Sequence, residues 1–286
     1  MLWRQHGIVS QKYKDSQMRR RRLVLFLFGL VLLILIGGLF WVGYSKTFHI
    51  NNITFSGVTT AKETLVKQIV LDRLNTKLFF VIPVDNTVLV PKRDIKNNLL
   101  ESFAQIQNVE IALINEHTIN VAVAERKPVG VWCENSEVID EKETSQKCFF
   151  LDEFGYIFGR APDFSGNLFF RYFGGNVSST IIGSYYLPTE IFSERIFFIT
   201  SLRTLGLNPI SATWNKNGDS YIYLSPKKDV GLRGDILFNN DDSLGSVFEH
   251  LSLTLTAEDF AEINMRIIDV EYIDLRSPNK IFYKLQ

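Results

Sequence analysis

The sequence predicts an α+β protein with one N-terminal transmembrane helix, a compact domain of order βααββ, and a C-terminal mixed β-sheet domain with flanking helices. Two observations predict this class. A single uncharged run follows a basic tail, and the segments behind it switch between helical and alternating apolar periodicity. The predicted boundaries are 1–22 for the tail, 23–44 for the transmembrane helix, 46–125 for the first domain and 126–286 for the second.

The predicted membrane helix covers Leu23 to Tyr44 and contains no charged side chain. Such a helix is roughly 30 Å long, about the thickness of the hydrocarbon core of a bilayer. Arg19-Arg20-Arg21-Arg22 precede it directly. The positive-inside rule therefore predicts a cytoplasmic N-terminus and an extracytoplasmic segment 45–286. A cleaved signal peptide is the alternative, but its apolar core is shorter, about 7–15 residues, and aromatic residues at the outer end favour a membrane anchor.

Charge and cysteine usage limit the function further. The chain has 31 basic and 31 acidic residues, and much of the basic surplus lies in the tail. The outer part is therefore somewhat acidic, which argues against nucleic-acid binding, because such proteins carry a basic stripe in their folded part. Cys133 and Cys148 form a disulfide if the compartment is oxidising and stay as thiols if it is reducing.

The first domain shows five periodic segments. A strand from Phe48 to Phe55 precedes a capping box, Thr60 to Glu63, which opens a helix. Pro91 starts a second helix, and two alternating segments then predict a hairpin with one buried face. The apolar positions of these last four segments are Leu65, Val66, Ile69 and Val70; Ile95, Leu99 and Phe103; Val109, Ile111 and Leu113; and Ile119, Val121 and Val123. The apolar stretch Leu78 to Ile82 is either a core element or a second contact patch.

The second domain shows short strands interrupted by two helices. One helix covers 194–205 and is closed by Gly206, and Ser243 opens the other. The predicted strands are 129–133, 148–151, 156–158, 221–224, 235–238, 269–275 and 280–284.

No pattern indicates catalysis. The carboxylate pairs, such as Asp152/Glu153, are sequence neighbours, which point apart in a strand and do not share a helix face. The chain contains no nucleophile elbow and no glycine-rich phosphate loop, and its four histidines lie far apart. The sequence therefore predicts a non-enzymatic protein without metal or cofactor.

The last strand, Lys280 to Lys284, is a candidate sheet edge. An edge has unpaired N–H and C=O groups and can accept a strand from a partner. Alternatively, its two lysines protect the edge from pairing.

From the tail to the C-terminus, the chain resembles the FtsQ/DivIB family of bacterial cell division proteins. The most specific match is Glu125 to Trp132, which fits the family pattern Glu-Arg-x-Pro-x-x-x-Trp. The other matching segments are the opening Phe48 to Gly57, the hairpin Leu151 to Phe158, and the closing strands Tyr272 to Arg276 and Ile281 to Tyr283.

The resemblance implies a POTRA domain followed by a β domain. It also implies a divisome scaffold in the cell membrane at the division septum, which links early and late division proteins and helps control septal peptidoglycan synthesis. The expected partners are FtsB-like and FtsL-like proteins, received by strand addition. Carried over to this chain, the partner-binding residues are Tyr272, Ile273, Asp274, Leu275, Arg276, Ser277, Lys280, Ile281, Phe282 and Tyr283.

There are two alternatives: one is a different interaction protein, and the other, an enzyme, belongs to a different functional class. Another POTRA-type envelope assembly or secretion factor would need a β-barrel or further POTRA copies. An envelope enzyme acting on peptidoglycan would need converging carboxylates or a Ser or Cys nucleophile. The sequence shows neither feature.

Overall fold

The computed structural model describes residues 6–58, 60–78, 82–134, 147–164, 166–175, 180–215, 218–277 and 280–286. The protein is a mixed α+β protein, as predicted, with five α-helices and a sheet-rich body in this described part. The chain divides into two units. The first contains the chain up to Ser102 and Asn108–Ala124, and the second contains Phe103–Gln107 and Glu125–Gln286.

Helix α1 covers His6–Tyr44. By length and composition, its segment Met18–Tyr44 is able to cross a membrane, and its most apolar 18 residues have a mean hydropathy of 3.1 and are not buried inside the protein. The helix therefore includes the predicted span 23–44. It also continues through the four arginines toward the N-terminus.

The first unit carries a three-stranded sheet and two further helices. In chain order its elements are β1 (Asn52–Ser56), α2 (Thr60–Leu74), β2 (Lys77–Leu78), β3 (Ile82–Pro83), α3 (Lys92–Ser102), β4 (Ile106–Asn115) and β5 (Thr118–Glu125). Strand β5 lies between β1 and β4 and runs parallel to β1. The order βααββ is thus present, with the short pair β2 and β3 inserted between the helices.

Two predicted core positions of this unit are wrong. Leu65 is 52% exposed, because the buried stripe of α2 runs through Val66, Val70 and Leu74 instead. Leu113 is 44% exposed, because the buried part of the edge strand β4 ends at Val109. The remaining buried apolar side chains of the helices and the hairpin include Ile95, Leu99, Ile119, Val121 and Val123.

The end of α1 packs against the segment that follows α2. Ile82 is 5% exposed, and a Cβ atom added to Gly43 of α1 would collide with Ile82 Cγ2. At Ile82 the structure therefore favours a core element over a contact patch, while residues 79–81 of the predicted apolar stretch lie outside the described part.

Asn86 holds this junction together. It is fully buried, and its Nδ2 donates to the carbonyl oxygen of Val42 in the last turn of α1 at 2.9 Å. Its Oδ1 accepts hydrogen bonds from the N–H groups of Val88 at 3.0 Å and Leu89 at 2.8 Å. The last carbonyls of a helix have no partner within the helix. The side-chain amide of Asn86 therefore supplies a hydrogen-bond donor to the end of α1 and an acceptor to the N–H groups of the following turn.

The second unit is built around one nine-stranded sheet. Its strands are β6 (Gly130–Cys133), β7 (Cys148–Leu151), β8 (Ile157–Arg160), β9 (Phe170–Gly174), β10 (Pro209–Trp214), β11 (Asp219–Leu224), β12 (Gly231–Asn239), β13 (Ile267–Asp274) and β14 (Phe282–Leu285). Across the sheet the order is β14-β13-β12-β11-β10-β9-β6-β7-β8. Strands β6, β9, β10, β12 and β13 run in one direction.

Two helices cover the core of this unit. Helix α4 covers Thr189–Thr204, starting five residues before its predicted start, and Gly206 follows its C-cap with a φ of 80°. Helix α5 covers Leu244–Thr254, and the side chain of Ser243 caps it as predicted by accepting from the N–H of Ser246. The buried residues that these helices and the following turn supply include Phe192, Phe198, Leu202, Val247, Leu251 and Phe260.

The arginine of the most specific sequence motif, Arg126, forms an internal ion pair. Arg126 Nη1 contacts Asp152 Oδ2 at 2.5 Å, with side chains 14% and 2% exposed, and the guanidinium lies 4.1 Å from the centre of the Tyr156 ring. Asp152 Oδ1 accepts from the N–H groups of Phe154 and Tyr156, both at 2.9 Å. The arginine of the Glu-Arg-x-Pro pattern therefore fixes the turn before β8.

A disulfide joins Cys133 and Cys148 with an S–S distance of 2.06 Å. The two residues lie directly opposite each other on β6 and β7. Residues 135–146 of the connecting loop lie outside the described part.

We expect Asn86→Ala to destabilise the first unit by about 1–3 kcal/mol, because two turn N–H groups lose their acceptor and the carbonyl of Val42 keeps only the N–H of Ser45 as a donor. Urea unfolding of the full chain in detergent micelles, followed by circular dichroism, measures the change. Asn97→Ala, at an exposed position of α3, serves as the control. Equal stability of the two variants would contradict the assigned role of Asn86.

We expect removal of the disulfide in the double variant Cys133→Ala and Cys148→Ala to cost the second unit about 3 kcal/mol, the value for a loop of this length. The same unfolding measurement on the oxidised and reduced wild-type chain gives an independent estimate. No difference between the two forms would overturn this expectation.

Candidate functional site

The candidate site is the edge formed by β14, the terminal strand of the nine-stranded sheet. The strand pairs antiparallel with β13 on one side only, and Ile273 lies opposite Tyr283 while Asp274 lies opposite Phe282. No described residue pairs with its other side. The sequence placed this edge correctly, although the strand begins at Phe282 and not at Lys280.

The alternation of an antiparallel ladder decides which backbone groups are free. The N–H of Gln286 donates to the carbonyl oxygen of Asp269 on β13 at 3.0 Å. Because successive residues of a strand direct their backbone groups to opposite sides, Lys284 and Phe282 also face β13. The N–H and C=O groups of Tyr283 and Leu285 then point away from the sheet and are free to bond an added strand.

The side chains of β14 are open to solvent on both faces. Phe282 is 51% exposed, Tyr283 is 36% exposed and Leu285 is 43% exposed. Apolar side chains on both faces of a free edge add apolar contact area to the backbone hydrogen bonds that a partner strand would form.

Tyr283 is held in place by the turn that follows α5. Its hydroxyl donates to Asp259 Oδ2 at 2.6 Å, and its ring lies edge-on to the buried Phe260 with ring centres 5.2 Å apart. The hydrogen bond to the Asp259 carboxylate raises the pKa of Tyr283. The phenol therefore stays protonated and keeps donating at neutral pH.

Lys284 forms an ion pair with Glu271 of β13. Both side chains are largely exposed, and the hydrogen bond to the carboxylate raises the pKa of Lys284. The positive charge at the edge is thus partly balanced by its neighbour, although an exposed pair of this kind contributes little to stability.

Arg276 organises the end of β13. Its Nε donates to Asp274 Oδ1 at 2.8 Å and its Nη2 to Asp274 Oδ2 at 2.6 Å, while its Nη1 binds Asp219 Oδ2 on β11. The backbone carbonyl of Arg276 accepts from Asn239 Nδ2 at 3.0 Å. These hydrogen bonds lower the pKa of Asp274 and raise that of Arg276. They fix the chain where it leaves β13 toward β14.

The other edge of the sheet is partly covered by the chain itself. The N–H of Ile157 on β8 donates to the carbonyl oxygen of Ser184, and the N–H of Gly183 donates to the carbonyl oxygen of Ile157, both at 2.8 Å. Gly183 adopts a φ of 95°, which favours glycine at this contact. The two edges of one sheet thus differ in their backbone pairing.

The predicted partner-binding residues divide into two groups. Ile273 and Leu275 are buried, and Ile281 packs against the core, so these three side chains support the edge from inside. The residues with half-buried or exposed side chains are Tyr272, Asp274, Arg276, Ser277, Lys280, Phe282 and Tyr283. The turn residues 278 and 279 lie outside the described part.

Sequence reasoning missed five residues of this site. Lys284 closed the predicted strand but was not assigned to the surface, and Leu285 continues it. Asp259, Phe260 and Glu271 support the edge through contacts over distances that no local pattern reveals. Only the apolar alternation continuing to Leu285 gave a signal in the sequence.

Within the described ranges, no group of three His, Cys, Asp or Glu side chains is arranged to hold a metal ion. What the edge offers chemically is backbone hydrogen bonding, apolar side chains, the ion pair of Lys284 with Glu271, and Arg276 held by two carboxylates.

Comparison of the chain with protein-family models found no match, and comparison with curated proteins found none either.

We expect Asp274→Asn to lower stability at pH 7 by about 1 kcal/mol, because Arg276 loses a bidentate partner but keeps Asp219. A carboxyl group whose pKa is lowered on folding stabilises the fold above its unfolded pKa of about 4, and this contribution is lost as the pH falls through the folded value. The variant should therefore lose less stability than the wild type between pH 7 and pH 3.

Urea unfolding at the two pH values measures this difference, with the exposed Asp241→Asn as control. If Asp274→Asn and the wild type lose the same stability between pH 7 and pH 3, Asp274 does not contribute to the acid sensitivity of the fold.

Proposed function

We propose that this protein is a membrane-anchored, non-enzymatic scaffold of bacterial cell division, of the FtsQ/DivIB type. In this proposal it lies in the cell membrane with its N-terminus in the cytoplasm and its bulk outside, at the division septum. There it receives FtsB-like and FtsL-like partners and helps control septal peptidoglycan synthesis.

The observation that carries the proposal is the free edge of β14. Its outward backbone groups, its exposed apolar side chains and its fixed position on β13 are the features that strand addition needs. Strand addition at the C-terminal strand is also what the family resemblance implies.

The architecture supports the proposal in two further respects. The apolar helix α1 precedes a βααββ unit, which is the order that the family resemblance implies. The last strand of this unit lies in the middle of its sheet. The residues that carry the resemblance form structural features of the second unit, since Arg126 binds Asp152 and Trp132 Nε1 donates to the carbonyl oxygen of Gly174 at 2.9 Å.

The alternative, in which lysines protect the edge, is weakened for Lys284 by the ion pair described above. A lysine protects an edge by placing an unbalanced charge where a second strand would lie. Lys284 is instead paired with Glu271 on the neighbouring strand.

The test uses the full chain in lipid nanodiscs and the outer segments of the organism's FtsB-like and FtsL-like proteins. Leu285→Pro removes the outward N–H of Leu285 but leaves the inward groups of Lys284 and Gln286 on β13. We expect it to weaken partner binding at least about tenfold, since one hydrogen bond is lost and a partner carbonyl is left unsatisfied. Isothermal titration calorimetry gives the dissociation constants.

Leu285→Val is the matched control, because it shortens the side chain but keeps the N–H, and it should bind within about threefold of the wild type. Circular dichroism establishes that both variants are folded. Binding by a folded Leu285→Pro with wild-type affinity would reject the edge as the partner site. Failure of the wild-type chain to bind either segment would reject the proposed partners.

A further inference from the structure

A cavity of about 530 Å³ lies in the second unit at the carboxyl ends of β9 and β10. The carboxyl ends of parallel strands are a common place for ligands in open sheets. Its walls include Tyr185, Tyr186, Arg195, Trp214, Asn215 and Asn240, and the first residues of α4. This volume is much larger than one water molecule and falls in the range of small-ligand sites.

Arg195 is the cation of this cavity. Its guanidinium lies 4.2 Å from the centre of the Trp214 ring, and its Nη1 is shielded from solvent without a hydrogen-bond partner. Among the described residues, no carboxylate forms an ion pair with it. Glu194, its neighbour in sequence, is exposed.

Arg126 in the same unit shows what Arg195 lacks. Both guanidinium groups lie over an aromatic ring, at 4.1 Å for Arg126 and 4.2 Å for Arg195. Arg126 also binds the buried carboxylate of Asp152. Arg195 is half-buried and hydrogen-bonds the hydroxyl of Tyr186 instead of a carboxylate. Burial of a cation costs free energy that a hydrogen-bonded carboxylate would offset, so the comparison favours a carboxylate as the ligand of Arg195.

Trp214 gives a second, independent indication. It is 3% exposed, and its Nε1 is buried without a partner. Trp132, the other tryptophan of the sheet, donates its Nε1 to the carbonyl oxygen of Gly174 at 2.9 Å. A buried indole N–H without an acceptor is destabilising, and an acceptor placed in the cavity would offset this cost.

The two buried phenols near Arg195 do not supply the negative charge. Tyr186 is 2% exposed and donates its hydroxyl to the carbonyl oxygen of Phe173 at 2.9 Å. Burial raises the pKa of Tyr186 and of its neighbour Tyr172. Both phenols therefore stay neutral beside Arg195 at physiological pH.

We propose that this cavity binds the carboxylate of a short peptide, with the carboxylate on Arg195, the Trp214 indole N–H donating to an oxygen of the ligand, and the peptide chain against the tyrosine and asparagine walls. The planar fork of an arginine matches the two oxygens of a carboxylate. Arg195 is the one cation among the described residues of the cavity wall, and one positive charge balances a carboxylate better than a phosphate dianion. The site uses β9, β10 and α4, so it does not depend on the edge at β14.

The test titrates the full chain in detergent micelles with N-acetyl-dialanine, with its C-terminal amide, and with inorganic phosphate. Indole ¹⁵N–¹H resonances report binding, and Trp214→Phe identifies the signal of Trp214. We expect the free carboxylate to bind at least tenfold more tightly than the amide or phosphate, and to shift the Trp214 signal. The Trp132 signal, whose N–H already has a partner, serves as an internal reference.

Arg195→Met should weaken binding of the free peptide at least tenfold, whereas Arg203→Met, at an exposed position later in α4, should leave it unchanged. Equal binding of the free peptide and its amide would overturn the proposal, as would tighter binding of phosphate or no binding of any probe. The comparison of free peptide and amide on the wild-type chain decides the question even if Arg195→Met does not fold.

Discussion

Backbone hydrogen bonding at the ends of the nine-stranded sheet is the constraint on which the architecture of the second unit depends. Every strand between the two ends has a neighbour on each side. At β8 the segment around Gly183 and Ser184 pairs with Ile157 and satisfies the N–H and C=O groups of that residue. At β14 nothing in the described part of the chain pairs with the outward groups, and the sheet ends in free donors and acceptors that only water or another chain can satisfy.

The position of β14 is fixed by interactions with residues outside this strand. Arg276 bonds Asp274 and Asp219 where the chain leaves β13, and Tyr283 is fixed by Asp259 and Phe260. Neither set covers the outward backbone groups of Tyr283 and Leu285. A pre-formed strand loses less conformational entropy on binding than a disordered tail would, and such preorganisation raises affinity.

Much of this fold follows from local patterns in the sequence. The uncharged run, the two helices of the first unit and the C-terminal strands were predicted because apolar periodicity and caps are local signals. Strands β9 and β10 were missed. β10 begins at Pro209 and carries Ala212, two residue types that are depleted in strands, yet the sheet places it between two neighbours.

The supporting contacts of the two candidate sites were not predictable in the same way. Asp259 and Tyr283 are 24 residues apart, and Asp219 and Arg276 are 57 apart. The candidate site in the cavity combines Arg195 with the ring of Trp214 from β10. No described carboxylate forms an ion pair with this arginine. Such contacts arise from tertiary packing, so the residues that form them cannot be identified from the sequence alone.

Residue-resolved amide hydrogen exchange of β14 in the full chain tests the central claim most directly, because it reads the two sides of the strand separately. The account predicts fast exchange at Tyr283 and Leu285 and slow exchange at Lys284 and Gln286, whose N–H groups face β13. Addition of a partner segment should then slow Tyr283 and Leu285 alone. Equal protection of all four amides in the isolated protein would contradict a free edge.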